Sequence, residues 1–466
     1  MRRVALLLFG ALAVAACGGS PDDAVTGDDA EVTAADRAVI TLGATSTRAL
    51  FVRFPERPSK ELSQAVIDAA KRGVDTRVVM TSTGSFDSSW MMQQHLESSG
   101  VDVDVRKDKP LEDVLAIADD TALVPSGTGT KKVTGADAAK LAKRFTDLLD
   151  GSTPRAGALA AKNTVTLHPM PEASRDRIVS LFGAAKTSID LEIYQLQDRG
   201  VVRALIAAAG RHVKVRVMLE PRTVGAENFK AVSKQLTDGG VAVQTTPPAF
   251  DTSHNVDHAK LAIIDGAELV FGTGNLVRSG LGGASETNFD NRDFWVEDTR
   301  AENVKAARAL FDADWARRAT SAADFDAFVL TPDNAERKIS DLVDAARQRL
   351  FVYNQSLSDD TLVTKLLAAK QRGVDVRVLL GYQPGFGGAP PGNQAALDKL
   401  VAGGVKADFL RKHYLHAKAI VSDDRAYIGS QNFTNGGLRN NRELGEIFDD
   451  HDLVTKLVST FESDSR

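Results

Sequence analysis

One order of elements recurs three times along this 466-residue chain. Each copy reads as an apolar strand, an Ala-rich helix, a turn built on Gly-Val-Asp or a similar sequence, and a second apolar strand. The first copy runs through Arg48–Phe54, Glu61–Lys71 and Gly73–Met80, the second through Thr187–Tyr194, Val201–Ala209 and Val213–Leu219. The third runs through Arg349–Tyr353, Asp360–Lys370 and Gly373–Leu380. A short helix ending in Gly follows each (Leu96–Gly100, Val232–Gly240, Leu397–Gly404), and then a further strand (Val101–Val105, Val241–Gln244, Val405–Asp408). Strands alternating with helices predict α/β units with substantial parallel sheet.

Composition sets the outer bounds. With 43% hydrophobic and 26% charged residues the chain can bury cores and solvate its surface, which excludes a disordered, collagen-like or polytopic membrane protein. The 57 basic residues are outnumbered by 62 acidic ones, so the basic footprint of a general nucleic-acid binder is missing, while a local basic cleft stays open. The N-terminus reads as a targeting segment. Met1-Arg2-Arg3 precedes an apolar run, Val4–Ala16, of the size of a signal-peptide core, and the chain's single cysteine, Cys17, follows Val14-Ala15-Ala16. This context resembles a bacterial lipobox. It implies a signal peptide at 1–16, lipid on Cys17, a flexible Gly/Ser/Asp-rich tether over 17–40, and export to the cell envelope as a membrane-anchored lipoprotein.

The second and third copies continue into a shared pattern. One reads His258-Ala-Lys260, Asp265-Gly266, then Gly272-Thr273-Gly-Asn275; the other reads His416-Ala-Lys418, Asp423-Asp424, then Gly429-Ser430-Gln-Asn432. Farther on, Asn291-Arg292-Asp293 matches Asn441-Arg442-Glu443. On a strand, residues i and i+2 share a face, so each histidine emerges beside its lysine. Asp265 and Asp423 fall where a tight hairpin turn is expected. The return strand carries Asn275 or Asn432 back to the same edge. Two facing halves would offer two imidazoles, two cations and two amides, a cage for an anionic tetrahedral group such as phosphate.

This pattern resembles the phospholipase D superfamily, the His-x-Lys-x4-Asp phosphodiesterases, over roughly residues 160–466. The resemblance implies an α/β fold of two pseudo-symmetric α/β/α sandwich halves with mixed sheets, at 155–320 and 321–466, whose motifs meet at their interface. It also implies a reaction through phosphohistidine with no cofactor and no obligatory metal. The catalytic set is then His258, Lys260, Asp265, His416, Lys418 and Asp423, with the two aspartates expected to hold turns rather than do chemistry. His258 is favoured as nucleophile and His416 as acid. The phosphate-binding groups are Asn275, Asn432, Thr273 and Ser430 beside the lysines. Asp293 and Glu443 each accept a hydrogen bond from a histidine ring and fix its tautomer.

The first copy lacks this chemistry: Glu112 stands in place of the histidine and Val114 in place of the lysine, whereas Asp119 survives. Residues 41–150 therefore read as a degenerate copy, the alternative being an unrelated α/β accessory domain. His254 and His413 precede the motif histidines without a carboxylate or cysteine cluster, so they are taken as pocket-edge residues rather than metal ligands. Glu192, Tyr194 and Tyr353-Asn354-Gln355 are expected as pocket wall, and the loops carrying Phe250, Tyr382 and Phe386 as possible lipid contacts. The implied partner is a phospholipid at a membrane surface, with hydrolysis of the headgroup ester or its transfer to an alcohol. An exported nuclease using the same chemistry is the alternative, and a non-catalytic binding lipoprotein the second. Oligomeric state is not readable.

Overall fold

The computed structural model describes residues 32–54, 58–81, 92, 95–96, 99–106, 111–127, 129–150, 163–173, 175–222, 226–252, 255–282, 290–320, 325–382 and 388–466. The signal segment, Cys17, His254 and Phe386 lie outside them. The chain divides into two compact units: residues 1–153 with 222–235 and 384–387, and residues 154–221, 236–383 and 388–466.

The first unit contains α1 (Ala34–Thr45), β1 (Ala49–Arg53), α2 (Lys60–Lys71), β2 (Asp75–Thr81), β3 (Asp102–Arg106), β4 (Ala116–Ala118), β5 (Thr121–Ser126), β6 (Gly129–Thr134) and α3 (Ala136–Asp150). Helix α1 corrects the expected tether, which was to run to residue 40. Thr33 Oγ1 accepts from Asp36 N–H while the Asp36 carboxylate accepts from Thr33 N–H, a reciprocal cap that starts the helix inside that stretch. Alternation along β1 sends Leu50 and Val52 to the α2 side, with Leu62 and Val66, and Phe51 to the opposite side, where it stacks on Phe145 of α3.

The second unit begins with β7 (Val165–Met170), α4 (Arg175–Ala184), β8 (Ser188–Ile193), α5 (Arg199–Gly210) and β9 (Lys214–Leu219). After α6 (Ala226–Asp238), most of which groups with the first unit, the second unit continues with β10 (Ala242–Thr245), β11 (Lys260–Ile264), β12 (Glu268–Gly272), β13 (Asn291–Asp298) and α7 (Ala301–Trp315). Its second half holds β14 (Phe328–Thr331), α8 (Ala335–Ala345), β15 (Arg349–Asn354), α9 (Asp360–Gln371), β16 (Asp375–Leu380), α10 (Pro391–Ala402), β17 (Lys406–Phe409), β18 (Tyr414–Leu415), β19 (Lys418–Ser422), β20 (Arg425–Gly429), β21 (Glu443–Phe448) and α11 (His451–Asp464). Helix α10 starts six residues ahead of the expected Leu397, with Pro391 in its first turn, where the missing N–H costs nothing.

Three sheets repeat one order. β3-β2-β1-β4-β5-β6 in the first unit corresponds to β10-β9-β8-β11-β12-β13 and to β17-β16-β15-β19-β20-β21. In each, the first three strands are parallel and the hairpins that follow are antiparallel. The sheets are therefore mixed. In the second unit the two halves share one core. Leu261, Ile263, Phe271 and Phe294 of the first join Phe351, Tyr353, Val421 and Ile428 of the second, with Phe311 of α7 and Phe461 of α11. Phe294 and Tyr353 meet across this core with centroids 5.4 Å apart. Such aromatic anchors are worth about 3–5 kcal/mol each when truncated to Ala. Two short parallel contacts close the seam beside it: Asn291-Arg292 with Tyr414-Leu415, and Asp257 with Arg442.

Candidate active site

The seam places each histidine just before a central strand, β11 or β19, in a stretch whose backbone is tied to the opposite half. His258 N–H donates to Arg442 C=O at 2.8 Å, and His416 N–H donates to Arg292 C=O at 3.2 Å. The same two-residue stretches supply the carboxylates. His258 Nδ1 lies 2.8 Å from Glu443 Oε2, and His416 Nδ1 lies 3.0 Å from Asp293 Oδ1. Each imidazole thus takes its main-chain acceptor and its carboxylate from the other half. Asn291 Nδ2 and Asn441 Nδ2 donate to Asp293 and Glu443, at 3.3 and 3.0 Å, which accounts for all three members of the Asn-Arg-acid triplets.

The lysines stand beside their histidines. Lys260 Nζ donates to His258 C=O and Lys418 Nζ to His416 C=O, both at 2.5 Å, and Lys418 Nζ is 3.4 Å from both ring nitrogens of His416. The histidines keep 9% and 7% of their surface exposed, whereas Lys260, Lys418, Asp293 and Glu443 keep at most 1%, so of these six groups the imidazoles are the most exposed. Asn275 Nδ2 reaches Gln195 Oε1 at 3.4 Å, and the Oδ1 atoms of Asn275 and Asn432 are buried without a hydrogen-bond partner. Each half thus holds an amide oxygen with unspent accepting capacity, which a donor could satisfy.

Thr273 and Ser430 require a correction. They were expected to bind phosphate, but both are fully buried on the return strands. Thr273 Oγ1 donates to Asp293 at 2.6 Å and accepts from Phe294 N–H. Ser430 Oγ accepts from Leu444 N–H and hydrogen-bonds Glu443. The hydroxyls brace the carboxylates. Asp265 and Asp423 lie at the far ends of β11 and β19. Asp265 accepts from the N–H groups of Lys186, Thr187 and Ser188, and Asp423 from those of Arg347, Gln348 and Arg349. Both sit at left-handed φ in their hairpins, as does Asp119 of the first unit, which accepts from Thr47, Arg48 and Ala49 N–H.

The site is electrostatically uneven. Burial, helped by Lys260, Lys418 and His416, holds His258 well below the ordinary imidazole value. Burial also lowers His416, but Asp293 works in the other direction. Asp293 itself stays below the usual carboxylate range despite burial, through His416, Lys418 and Thr273. Burial pushes Glu443 up to about 8, against the pull of Lys260. Lys260 is pushed down to about 7 and Lys418 to about 8, burial leading in both. Packing adds to the asymmetry. Ile193 and Asn354 pair with the two motif lysines, so Tyr194 and Gln355 occupy matching positions. Tyr194 stands edge-on to His258 with centroids 4.8 Å apart and faces Lys260 Nζ, whereas Gln355 Nε2 bonds Tyr414 Oη.

Sequence reasoning missed the groups behind the triplet arginines, both nearly fully buried. Arg292 forms a two-bond pair with Asp464, at 2.6 and 2.8 Å, and also binds Glu172. Tyr353 Oη donates to the same Asp464 at 2.7 Å. Arg442 pairs with Asp314 at 2.9 and 2.6 Å. Asp314 follows Arg292 and Asp464 follows Arg442 at the same interval, the one sequence signal that could have found them. Glu192, expected as pocket wall, is wholly buried near Asp257 and Asp314, and burial raises it well above the usual carboxylate value. Among the described residues no group of three or more His, Cys, Asp or Glu side chains could hold a metal ion, and no helix is long and apolar enough to cross a membrane.

A family described as cardiolipin synthase, PLD-like domain, matches residues 178–315 and 339–465. The chain is 27% identical over 317 residues to cardiolipin synthase 2 of Bacillus anthracis, covering 60% of each chain. It is 23% identical over 345 residues to cardiolipin synthase A of Pseudomonas entomophila, covering 65% of this chain and 69% of that one. The chain thus spans about 60% of the length of the Bacillus relative. In fold it is similar to phosphatidylserine synthase of Haemophilus influenzae, with a TM-score of 0.51 at 14% identity over 66% of this chain and 87% of that one. Polyphosphate kinase of Porphyromonas gingivalis gives a TM-score of 0.50 at 15% identity over 74% and 63%. With two His-x-Lys strands facing each other across one seam, and a family match that spans both, the chain belongs to the phospholipase D superfamily, in its cardiolipin synthase-like branch.

Proposed function

We propose that this protein is a phosphodiesterase of the phospholipase D type, acting on glycerophospholipids by hydrolysis of the headgroup ester or its transfer to an alcohol. The observation that carries the reading is the crossed pair of histidine–carboxylate contacts, each flanked by a buried lysine. With Nδ1 committed to a carboxylate, Nε2 is the ring nitrogen for chemistry. His258 Nε2 attacks phosphorus as the bond to the leaving alkoxide breaks, and a proton from His416 goes to that oxygen. Water or an alcohol then attacks phosphorus, gives its proton to His416, and the N–P bond breaks. The lysines balance the charge on the non-bridging oxygens, and the amides of Asn275 and Asn432 donate hydrogen bonds to them through Nδ2. His258 suits the nucleophile because its surroundings keep it neutral, and His416 suits the acid better than His258 does because ionised Asp293 opposes the lowering that burial imposes. The lipid substrate is supported by what the relatives are named for. The strand order shared by all three sheets supports reading residues 41–150 as a degenerate third copy.

The test sets phosphatidylcholine, phosphatidylglycerol and single-stranded DNA side by side, with and without ethanol, and with EDTA. Phosphatidic acid or phosphatidylethanol, formed despite EDTA, is the expected product. Cleavage of DNA alone would assign a nuclease instead, and turnover of none of the three would leave a binding protein. In the same preparation His258→Ala should abolish the covalent phosphohistidine. In His416→Ala an ester with a good leaving group should still form it, and it should persist. For the envelope anchor, Cys17→Ser should move the protein from membranes to the soluble fraction, and retention after a high-salt wash would refute lipidation.

A further inference from the structure

We propose that Asp464 and Asp314 are positioning residues, each acting on the histidine of its own half through the arginine of the other: Asp464 on His416, and Asp314 on His258. The inference rests on the division of labour proposed above. Arg292 and Arg442 are almost completely buried, and removing the charge of the aspartate leaves each to the acid that remains, Glu172 for Arg292 and Asp333 at 4.0 Å for Arg442, which draws the side chain toward that acid. Both contacts that fix each imidazole hang on the backbone at that point. Arg292 C=O receives His416 N–H, and the adjacent Asp293 binds His416 Nδ1. Arg442 C=O receives His258 N–H, and the adjacent Glu443 binds His258 Nδ1. A displacement at one arginine therefore reaches one histidine and spares the other.

The two clamps are separate in space and differently supported. Asp464 also accepts from Tyr353 Oη, and Arg292 has Glu172 as a second acid. Beside Arg442, the position matching Tyr353 is taken by Glu192, since these residues pair with Ala419 and Leu261, each one past its motif lysine. Neutralising Asp464 should thus weaken the step that needs His416, and neutralising Asp314 the step that needs His258.

The experiment uses the full chain and phosphatidyl-p-nitrophenol, whose leaving group needs no proton, beside a natural headgroup ester. In Asp464→Asn the first-turnover release of p-nitrophenol should stay at the wild-type rate while steady turnover falls and the phosphohistidine accumulates. Turnover of the natural ester should fall about 10- to 100-fold, the range typical of partners one step removed from the reacting groups. In Asp314→Asn the first turnover itself should fall by a similar factor, with no accumulation. Identical effects of the two variants on both steps would overturn the proposal, as would wild-type rates in both. Tyr353→Phe, which removes no charge, should shift the ratio of first-turnover to steady rate in the direction of Asp464→Asn, and an unchanged ratio would also overturn it. Absence of phosphohistidine in the wild type would instead remove the underlying mechanism.

Discussion

Glu443 Oε2 lies 2.8 Å from His258 Nδ1, although 185 residues separate the two in sequence. Once Glu443 is ionised, the contact selects the tautomer with hydrogen on Nδ1 and leaves Nε2 free for the reaction. Glu443→Gln puts an amide in its place, and its N–H2 end favours the wrong tautomer. The expected result is a fall in kcat of up to about 10⁴-fold, the scale seen when a histidine-orienting carboxylate becomes an amide. Circular dichroism and melting temperature should stay close to wild type. Retention of a tenth or more of the wild-type kcat would show that the carboxylate is dispensable.

The lysines steepen the upper limb of the pH profile. Lys260 at about 7 and Lys418 at about 8 are charged below those values and neutral above them. An anionic phosphodiester is therefore held less well as pH rises through that window. The lowered His416 loses its proton in the same direction. The free-enzyme profile, kcat/KM, should fall as pH rises, first as His416 loses its proton and then more steeply through the lysine window of about 7 to 8. Lys260→Arg, whose guanidinium stays charged, should carry this fall to higher pH. A kcat/KM that climbs steadily from about pH 6 to 9 would contradict the assignment.

Gly274 is held small by Asp293. A Cβ there would stand 2.8 Å from both Cγ and Oδ2 of Asp293, which is itself fully buried. Gly274→Ala should push Asp293 off His416 and lower kcat by about 10- to 100-fold. Overpacking should also cost about 1–3 kcal/mol of stability. Gly183→Ala is the control, since a Cβ there meets nothing within 4 Å. Equal kinetics for the two variants would refute the argument.

The hairpin aspartates should report on folding more than on turnover. Asp423→Ala strips the acceptor from three backbone N–H groups, a loss of about 1–3 kcal/mol, and its effect on kcat should be far smaller than that of Glu443→Gln. Asp119→Ala should cost a similar amount in the first unit and leave turnover unchanged, which thermal unfolding and lipid assays would check together.

Much of this site was legible because it is written twice. His258 and His416, with their lysines, emerge from one spacing rule, and a repeated spacing is hard to obtain by accident. The crossing of partners was not legible, since a sequence orders Asp293 and Glu443 within their own halves and only the seam exchanges them. Thr273 and Ser430 were misread because a hydroxyl two residues from a site amide suggests a ligand group, whereas the pleat turns both inward onto the carboxylates. Asp314 and Asp464 sit on helices with ordinary surface-like spacing, and nothing local marks them as buried. The start of α1 was legible in principle, through Thr33 and Asp36, but was masked by the polar run before it.

The exchange of carboxylates and clamps has a consequence for how this molecule can be divided. Severed between α7 and β14, the chain would give two pieces that each carry a histidine and a lysine, yet neither would own a complete site. Each would hold a buried arginine whose aspartate clamp had left with the other piece. Mixed in equal amounts, the pieces should recover together, and a piece bearing a damaged histidine should spoil its intact companion. Function in this protein belongs to the pairing rather than to either half.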